Sequence, residues 1–415
     1  MPASMRPSER ARRSAGRATH AGEALPVVSC VRSQTISPSS ASRYHGRGGG
    51  SDRRGASGDG AQAAVVSVTL LEVARRANVH PSTASRALSP VMSREVSEAT
   101  RLKVLEAAEE LGYRPNVVAR GLRKGRTGTI GVVINDFQLP YNAAVLRGIE
   151  AVLDETGMMP FVTESHEDSA RLERALEHLH GRRADAIIVT AVRAADEAAV
   201  VKMARLLPIV LAVRTLPNTR LATVAHDDFE GGLLAARHLV ALGHRDIVEL
   251  PGTGDVSSFR QRSAGFHAGL QEAGLEPASV VQPVHRLTVE NGHALMRAVL
   301  ARADRPPTAA FAHNDVMAAG AIDALSDAGL SCPRDISVVG YDDILLADHL
   351  APPLTTVRLP SFHLGQLAAQ LARTLLDQPD APAPRVSLPP ELVVRASCAP
   401  PPKGRGSSPG VGHGH

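Results

Sequence analysis

Residues 69–88, TLLEVARRANVHPSTASRAL, carry the signals of two short helices joined by a tight turn. Thr69 and Glu72 have the spacing of a capping box, in which the Thr hydroxyl serves a first-turn N–H and the Glu carboxylate reaches back to the cap. Asn78 falls in the turn, where Asn tolerates the left-handed backbone that a tight turn needs. Pro81 suits the first position of the second helix.

A third helix is predicted downstream, capped by Ser97 and ended by Gly112. Four apolar side chains are expected to face inward: Val104, Leu105, Ala108 and Leu111. Two short helices with a tight turn and a supporting helix form a helix-turn-helix module. In such modules the second helix enters the major groove of DNA.

From residue 129 onward, strand-like apolar runs alternate with amphipathic helical patterns such as Phe229–Leu242 and Val316–Ala328. The runs are Ile130–Ile134, Met159–Thr163, Ala186–Val189, Ile209–Val213, Ile247–Leu250, Thr308–Ala312 and Ile336–Tyr341. Strands separated by helices predict parallel sheets. About 270 residues exceed one core. The predicted fold class is therefore an all-α helix-turn-helix head followed by an α/β body of two doubly wound lobes.

The charge distribution points to a polyanionic partner. Of the 415 residues, 43% are hydrophobic and 21% are charged, as in soluble globular proteins. Residues 1–66 and 67–127 carry net charges of +6 and +5, whereas the remainder carries −7. A basic front on an acidic body makes nucleic acid the leading candidate.

The cysteines and the termini add further expectations. Cys30, Cys332 and Cys398 are widely spaced, which argues against a disulfide framework and a cysteine-rich zinc site and fits a reducing cytosol. Residues 1–66 lack apolar periodicity, so we expect either a disordered arm or an extension upstream of a translation start near residue 66. An organelle transit peptide is a third, superficial match. Residues 398–415 are expected to be a disordered tail.

A series of motifs then follows in fixed order. In the front part these are VTLLEVARRA (68–77), PSTASRAL (81–88), VSEATR (96–101), LGYRPN (111–116) and VARGL (118–122). In the body they are IGVV (130–133), LVALGH (239–244), ND (314–315), VGYDD (339–343) and PLTT (353–356). Together, over about 67–397, they resemble the lactose-repressor (LacI/GalR) family of bacterial transcription regulators.

The resemblance implies a DNA-binding head at 67–115 and a hinge helix and linker at 116–128 that folds on DNA. The implied DNA contacts are Thr69, His80, Pro81, Ser82, Thr83, Ser85, Arg86, Asn116, Ala119 and Leu122. Arg86 can donate a bidentate pair of hydrogen bonds to a guanine, worth about 1–3 kcal/mol of discrimination. Leu122 would be an apolar wedge that opens a base step and bends the duplex.

The resemblance also implies that residues 129–397 bind a small-molecule effector between the lobes and form a homodimer. The implied effector contacts are Asp136, Tyr141, Asp228, Arg262, Asn314 and Asp342. Their donors and acceptors suit a polyhydroxy, sugar-like ligand. Three of these residues stand near strand–helix junctions, where Asp and Asn are also ordinary helix N-caps. Both roles therefore remain open for Asp228, Asn314 and Asp342.

The expected partners are pseudo-palindromic double-stranded operator DNA, the effector and a second copy of the chain. No cofactor, metal or membrane is expected, and the expected location is the cytoplasm, in association with the nucleoid. Three residues depart from the family pattern: His80 stands where a Ser cap is usual, and Asn142 and Leu287 stand where aromatics are common. The segment 87–95 is also about two residues longer than is common.

Two other classes of protein share parts of this sequence pattern. A solute-binding protein of a transport system shares a two-lobed body, but it needs a secretory signal and has no helix-turn-helix. An enzyme with a Rossmann-like body needs a glycine-rich phosphate-binding turn after its first strand, and residues 135–138, NDFQ, do not supply one. The sequence therefore predicts a transcription regulator, and specifically a repressor, rather than an enzyme.

Overall fold

The computed structural model describes residues 68–88, 95–113, 126–277, 282–302 and 305–402. The arm at 1–66 and the hinge residues Asn116, Ala119 and Leu122 lie outside the described residues. Within those ranges, no helix is long and apolar enough to cross a membrane.

The head consists of α1 (Leu70–Arg76), α2 (Pro81–Ala87) and α3 (Glu98–Glu110). The capping box is confirmed: the Thr69 N–H donates to Glu72 Oε2 at 2.6 Å, and the Glu72 N–H donates to Thr69 Oγ1 at 3.4 Å. Asn78 adopts a φ of 53° in the turn, and Pro81 opens α2, both as predicted.

The prediction for the third helix was partly wrong. Leu105 is 38% exposed, and Ala107 is buried beside Val104 and Ala108 instead. Positions 104, 107, 108 and 111 share one helical face, whereas 105 is rotated away from it. Ser97 precedes the helix without making a side-chain cap, since its hydroxyl contacts Thr100 Oγ1 at 2.8 Å.

The first lobe contains a six-stranded sheet with strand order β10-β5-β4-β3-β1-β2, in which all pairs are parallel. Its strands are β1 (Thr129–Ile134), β2 (Met159–Glu164), β3 (Ala186–Val189), β4 (Ile209–Val213), β5 (Ala222–His226) and β10 (Arg385–Leu388). Its helices are α4 (Pro140–Asp154), α5 (Ser169–Gly181), α6 (Glu197–Ala204) and α11 (Ser361–Asp377).

The second lobe contains a five-stranded sheet with strand order β11-β9-β8-β7-β6, parallel except for the antiparallel pair β11–β9. Its strands are β6 (Ile247–Leu250), β7 (Ala309–Ala312), β8 (Ser337–Asp342), β9 (Thr355–Arg358) and β11 (Glu391–Val393). Its helices are α7 (Asp228–Ala241), α8 (Ser257–Gln271), α9 (Val289–Arg302) and α10 (Asp315–Asp327).

The described chain passes between the two lobes three times: after β5, after β9 and after β10. The first and third crossings are joined by a hydrogen bond from the Asp227 N–H to the Leu388 carbonyl at 2.9 Å. The second lobe continues past the predicted boundary at 397, because the Ala399 carbonyl accepts from the Ser337 hydroxyl at 3.0 Å. The strands β5, β9, β10 and β11 were not predicted.

Pairs of glycines set the helix packing in both lobes. Gly148 and Gly365 face each other across α4 and α11, and the same holds for Gly232 with Gly265 and for Gly292 with Gly320. A Cβ at any of these positions would lie 1.8–2.2 Å from a backbone carbonyl oxygen of the facing helix. The backbones are therefore in direct contact, and each helix pair has room only for glycine at its crossing point.

Gly320→Ala is expected to lower the free energy of unfolding by about 3 kcal/mol, since overpacking against backbone cannot be relieved by rotating a side chain. Its Cβ would stand 1.9 Å from the Val289 carbonyl oxygen. Urea unfolding followed by far-UV circular dichroism measures the change. Gly181→Ala is the matched control, because nothing lies within 4 Å of the added Cβ. There the gain in helix propensity, about 1 kcal/mol at most, should leave stability equal or higher. Equal midpoints for the two variants would contradict the packing argument.

Candidate functional site

The second helix of the head presents a polar surface formed by the residues predicted to meet DNA. Ser82 is exposed, and Pro81, Thr83, Ser85 and Arg86 are half-buried. His80 does cap this helix: its Nδ1 accepts from the Ser82 N–H at 3.3 Å and contacts the Ser82 hydroxyl at 2.8 Å. The imidazole thus takes the place of the usual hydroxyl cap.

Arg86 has an unsatisfied donor. Its Nε is buried and has no hydrogen-bond partner among the described residues. A buried donor without an acceptor costs free energy. Because this Nε is buried, an acceptor from outside the head can reach it only if the Arg86 side chain or its surroundings rearrange.

A cavity lies between the lobes at the carboxyl ends of their parallel strands, where ligands bind in open α/β sheets. It encloses about 530 Å³ of empty space, part of which is open to solvent. The first lobe contributes Asn135, Leu139, Pro140, Tyr141, Asn142, Thr190, Val213 and Arg214. The second contributes Ser258, Phe259, Arg262, Leu287, Asn314, Val316, Asp342 and Ile344.

Of the six predicted effector contacts, the structure brings Tyr141, Arg262, Asn314 and Asp342 to the cavity wall. The Arg262 guanidinium is buried, with Nε donating to Asp228 Oδ1 at 2.8 Å and Nη1 donating to the His313 carbonyl at 2.5 Å. Its Nη2 lies 3.8 Å from Asp342 Oδ1. Arg262 therefore keeps free N–H groups on Nη2, next to a carboxylate that faces the same cavity.

Asp228 is a support behind the cavity wall. Its Oδ1 accepts from Arg262 and from the Tyr341 hydroxyl, the latter at 3.1 Å, and it does not line the cavity. The Tyr341 ring stacks on the Arg262 guanidinium at 3.8 Å. Burial raises the pKa of Asp228, and the Arg262 charge and its hydrogen bond oppose that shift. The N-cap of the following helix is the neighbouring Asp227, which accepts from the Glu230 N–H.

Asn314 and Asp342 occupy different backbone settings. Asn314 lines the cavity, and its Oδ1 also caps α10 by accepting from the Met317 N–H at 2.8 Å. Asp342 caps no helix; it ends β8 with a φ of 104°. Burial raises the pKa of Asp342 well above its ordinary value, against the opposing charge of Arg262.

Tyr141 lies where the two lobes meet. It packs against hydrophobic residues of both lobes, and its hydroxyl contacts Nε2 of the buried His226 at 2.9 Å. Burial, with the nearby Arg262 charge, lowers the pKa of His226 to about 3, so this imidazole is neutral. Tyr141 therefore presents its ring, rather than a free hydroxyl, to the cavity.

The first lobe supplies a polar wall that the sequence analysis did not identify. Arg214 lines the cavity and donates through Nη1 and Nη2 to Glu167, at 2.8 and 2.6 Å. Glu167 also accepts from Asn135 Nδ2 at 2.9 Å, and Asn135 Oδ1 accepts from Asn142 Nδ2 at 2.9 Å. The one sequence signal for this wall is that Asn135 and Arg214 each follow a predicted strand, at the sheet edge where the cavity forms.

Asp136, the remaining predicted effector contact, does not line the cavity and bridges the lobes instead. Its Oδ2 accepts from Nη2 of Arg286, in the second lobe, at 2.5 Å. Its own backbone precedes α4 of the first lobe, and its Oδ1 accepts from the Gln138 N–H at 2.8 Å. Asp136 is thus positioned as part of a clasp between lobes.

Three further polar contacts join the lobes. The Arg193 guanidinium pairs with Asp255, and the Ala194 N–H donates to the Asp255 carbonyl at 3.0 Å. The Thr215 N–H donates to the Ser257 hydroxyl at 2.8 Å. We name these contacts, together with Asp136–Arg286, the interlobe clasp. The clasp holds the lobes together independently of the three chain crossings.

The comparisons with known proteins agree with this architecture. A family model described as "Bacterial regulatory proteins, lacI family" matches residues 69–116, and one described as "Periplasmic binding protein-like domain" matches residues 236–398. The chain is 34% identical over 330 residues to the HTH-type transcriptional repressor PurR of Mannheimia succiniciproducens, covering 79% of this chain and 98% of that protein.

Two solved structures are similar over most of the chain. The Lac repressor dimer bound to operator and the anti-inducer ONPF gives a TM-score of 0.72 at 29% identity, covering 80% of this chain and 99% of that one. The complex of the transcriptional regulator CelR with cellobiose gives a TM-score of 0.61 at 30% identity, with the same coverage of 80% and 99%.

The helix-turn-helix head and the two-lobed cavity define a DNA-binding transcriptional regulator under ligand control, and not an enzyme. The chain belongs to the lacI family of bacterial regulatory proteins.

Asp136→Asn is expected to weaken the clasp, because it removes the charge that holds Arg286. Amide hydrogen exchange, followed by mass spectrometry of peptides covering 135–142 and 252–258, should become several-fold faster at low salt. Screening at about 1 M salt should narrow the difference from wild type. Glu272→Gln is the matched control, since the Glu272–Arg237 ion pair joins two helices within one lobe. Unchanged exchange in Asp136→Asn would show that this ion pair does not hold the lobes together.

Proposed function

We propose that the protein is a repressor that binds pseudo-palindromic operator DNA as a homodimer and is controlled by a sugar-like effector. The proposed organisation is a DNA-binding head at 67–115, a hinge helix and linker at 116–128, and an effector-binding and dimerisation body that starts at 129. Its place of action is the cytoplasm, on the nucleoid. The observation that carries the proposal is the presence, in one chain, of a helix-turn-helix head with Arg86 on its second helix and of a polar cavity between two lobes.

The DNA-binding part of the proposal is supported by charge and by the helix surface. Residues 67–127 carry a net charge of +5 while the body and tail carry −7. Direct contacts are assigned to Thr69, His80, Pro81, Ser82, Thr83, Ser85 and Arg86, and in the hinge to Asn116, Ala119 and Leu122. Arg86 is the base-reading residue among them, because a guanidinium matches the two acceptors of guanine in the major groove.

The effector part is supported by the free groups in the cavity. Arg262 offers N–H donors and Asp342 offers an acceptor within 3.8 Å of each other. A pair of adjacent sugar hydroxyls, which donate and accept side by side, matches this spacing. Asn314 and Tyr141 complete the proposed contacts, while Asp228 and Asp136 act by positioning Arg262 and the lobes. The CelR–cellobiose complex shows a similar protein holding a sugar.

Binding of ligand between the lobes would stabilise one degree of closure. A ligand shifts operator affinity only as far as it binds one closure state more tightly than another. A coupling free energy of about 1–3 kcal/mol is typical of such linkage. In the proposed mechanism the lobes transmit this preference to the paired hinges of the dimer.

Selection of binding sites from random DNA, at fixed physiological salt, tests the proposal. The full chain should enrich an inverted repeat, and Arg86→Ala should lose discrimination at one symmetric guanine position by about tenfold or more. Fixed salt is required because phosphate contacts alone make any basic protein bind DNA.

Arg75→Ala is the matched control, since it removes an exposed head arginine next to the turn without touching the recognition helix. It should weaken all sequences to a similar degree. The enriched site then serves as the probe in a screen of sugars for release of operator. Enrichment of no sequence at all would end the repressor proposal at the head.

A further inference from the structure

A buried carboxylate stands directly behind an arginine of the cavity wall. Glu167 receives both Nη groups of Arg214, at 2.8 and 2.6 Å, and the two side chains are only 9% and 4% exposed. Arg214 faces the cavity, and Glu167 does not. Burial opposes ionisation of Glu167, but the Arg214 charge and the hydrogen bonds from Arg214 and Asn135 outweigh it and hold its pKa below the ordinary value.

The backbone at both ends of this ion pair is in a conformation that side chains rarely adopt. Glu167 has a φ of 59°, and Val213, the residue before Arg214, has a φ of 70°. A β-branched residue with positive φ is a genuine outlier, and such outliers persist only where surrounding structure enforces them. Two strained segments, separated by 46 residues in the chain, thus place one carboxylate against one guanidinium.

The positive charge of Arg262, the second arginine that lines the cavity, is likewise neutralised by a carboxylate. Arg262 pairs with Asp228 at 2.8 Å and lies 3.8 Å from Asp342. Two guanidinium groups are therefore faced by three carboxyl groups. With Glu167 and Asp228 ionised, as their hydrogen bonds from Arg214 and Arg262 favour, the five groups carry one net negative charge when Asp342 is ionised and none when Asp342 is protonated. In neither state is a positive charge left for a ligand anion.

We propose that Glu167 is a specificity-determining residue that reserves this cavity for uncharged ligands and rejects phosphorylated and acidic sugars. The proposal rests on the proposed function and narrows its effector class. Arg214 can still donate to a hydroxyl through its remaining N–H groups, but its positive charge is neutralised by Glu167.

The discrimination has a simple electrostatic origin. A phosphate or carboxylate that leaves water for a buried site needs an uncompensated positive partner to offset its desolvation. To obtain one here, it would have to displace Glu167 from Arg214 and leave that carboxylate buried without its partner. A neutral hydroxyl pays no such penalty and keeps the existing ion pair intact.

The test compares wild type, Glu167→Gln and Asp168→Asn by isothermal titration with matched ligand series. Each series contains a neutral sugar, its phosphate ester and its uronic acid, for example cellobiose, glucose and ribose with their anionic derivatives. Wild type should bind the neutral member of at least one series tenfold or more tighter than either anionic member. Glu167→Gln should reduce that ratio at least tenfold, because it releases the Arg214 charge.

Asp168→Asn is the matched control. It removes one negative charge at the next position, where Asp168 caps α5 at the surface by accepting from the Arg171 N–H, and Asn can make the same cap. Its ratio should equal that of wild type. The double variant Glu167→Gln/Arg214→Gln removes both charges together, so affinity for every member should fall with the loss of the Arg214 donors, while the neutral member should still bind more tightly than either anionic member because no unpaired guanidinium remains. It provides a second test if the single variant does not fold.

The proposal is overturned if wild type binds an anionic member as tightly as its neutral counterpart, or if Glu167→Gln leaves the ratio unchanged. It is also overturned if no neutral sugar binds or if the double variant prefers anions. Operator binding is measured on the same preparations. Intact operator selection with no neutral ligand bound would reject the ligand class alone, whereas loss of operator selection would reject the proposed repressor itself.

Discussion

The arrangement of the second lobe depends on one buried guanidinium. Arg262 of α8 holds Asp228 at the first crossing between lobes, the carbonyl of His313 after β7, and the ring of Tyr341 in β8. A single side chain thus contacts three separate parts of the chain. Removing one partner of such a buried pair costs far more than a surface pair contributes, because the other charge remains buried and uncompensated. The same residue offers its remaining donors to the cavity, so the ligand site and the fold share one anchor.

The sequence predicted those features of the fold that depend on short-range interactions. The capping box at Thr69, the left-handed turn at Asn78 and the seven apolar runs were all visible in the sequence, since each depends on a few neighbouring residues. Of the four strands that were not predicted, β5 and β9 lie inside the sheets and are as long as several strands that were predicted. The other two, β10 and β11, lie at sheet edges, have four and three residues with a mixed pattern, and pair with strands that precede them in the chain. Nothing in their own composition separates them from loops.

The cavity residues likewise fall into those that the sequence could locate and those that only the three-dimensional structure identifies. The resemblance located Arg262, Asn314, Asp342 and Tyr141, but it treated Asp136 and Asp228 as residues of the same kind. Only the structure shows that Asp136 pairs with Arg286 of the other lobe and that Asp228 accepts hydrogen bonds from Arg262 and Tyr341. Glu167 and Arg214 were missed because they are 47 residues apart and carry no motif. A buried ion pair of this kind is a property of three-dimensional packing, and a charged residue in a sequence gives no sign of its partner.

The reciprocal glycines have a mechanical consequence. Each lobe contains helices whose backbones touch at a crossing point, so these helices cannot slide toward each other and have no side-chain layer that could compress. Each lobe is therefore expected to move as a rigid body. The parts of the body that can deform more easily are the three segments connecting the lobes and the polar contacts of the interlobe clasp. Strain introduced at the cavity should therefore rotate one lobe as a whole relative to the other. Thermal expansion, crowding or pressure should act on the angle between the lobes long before they act on the shape of either one.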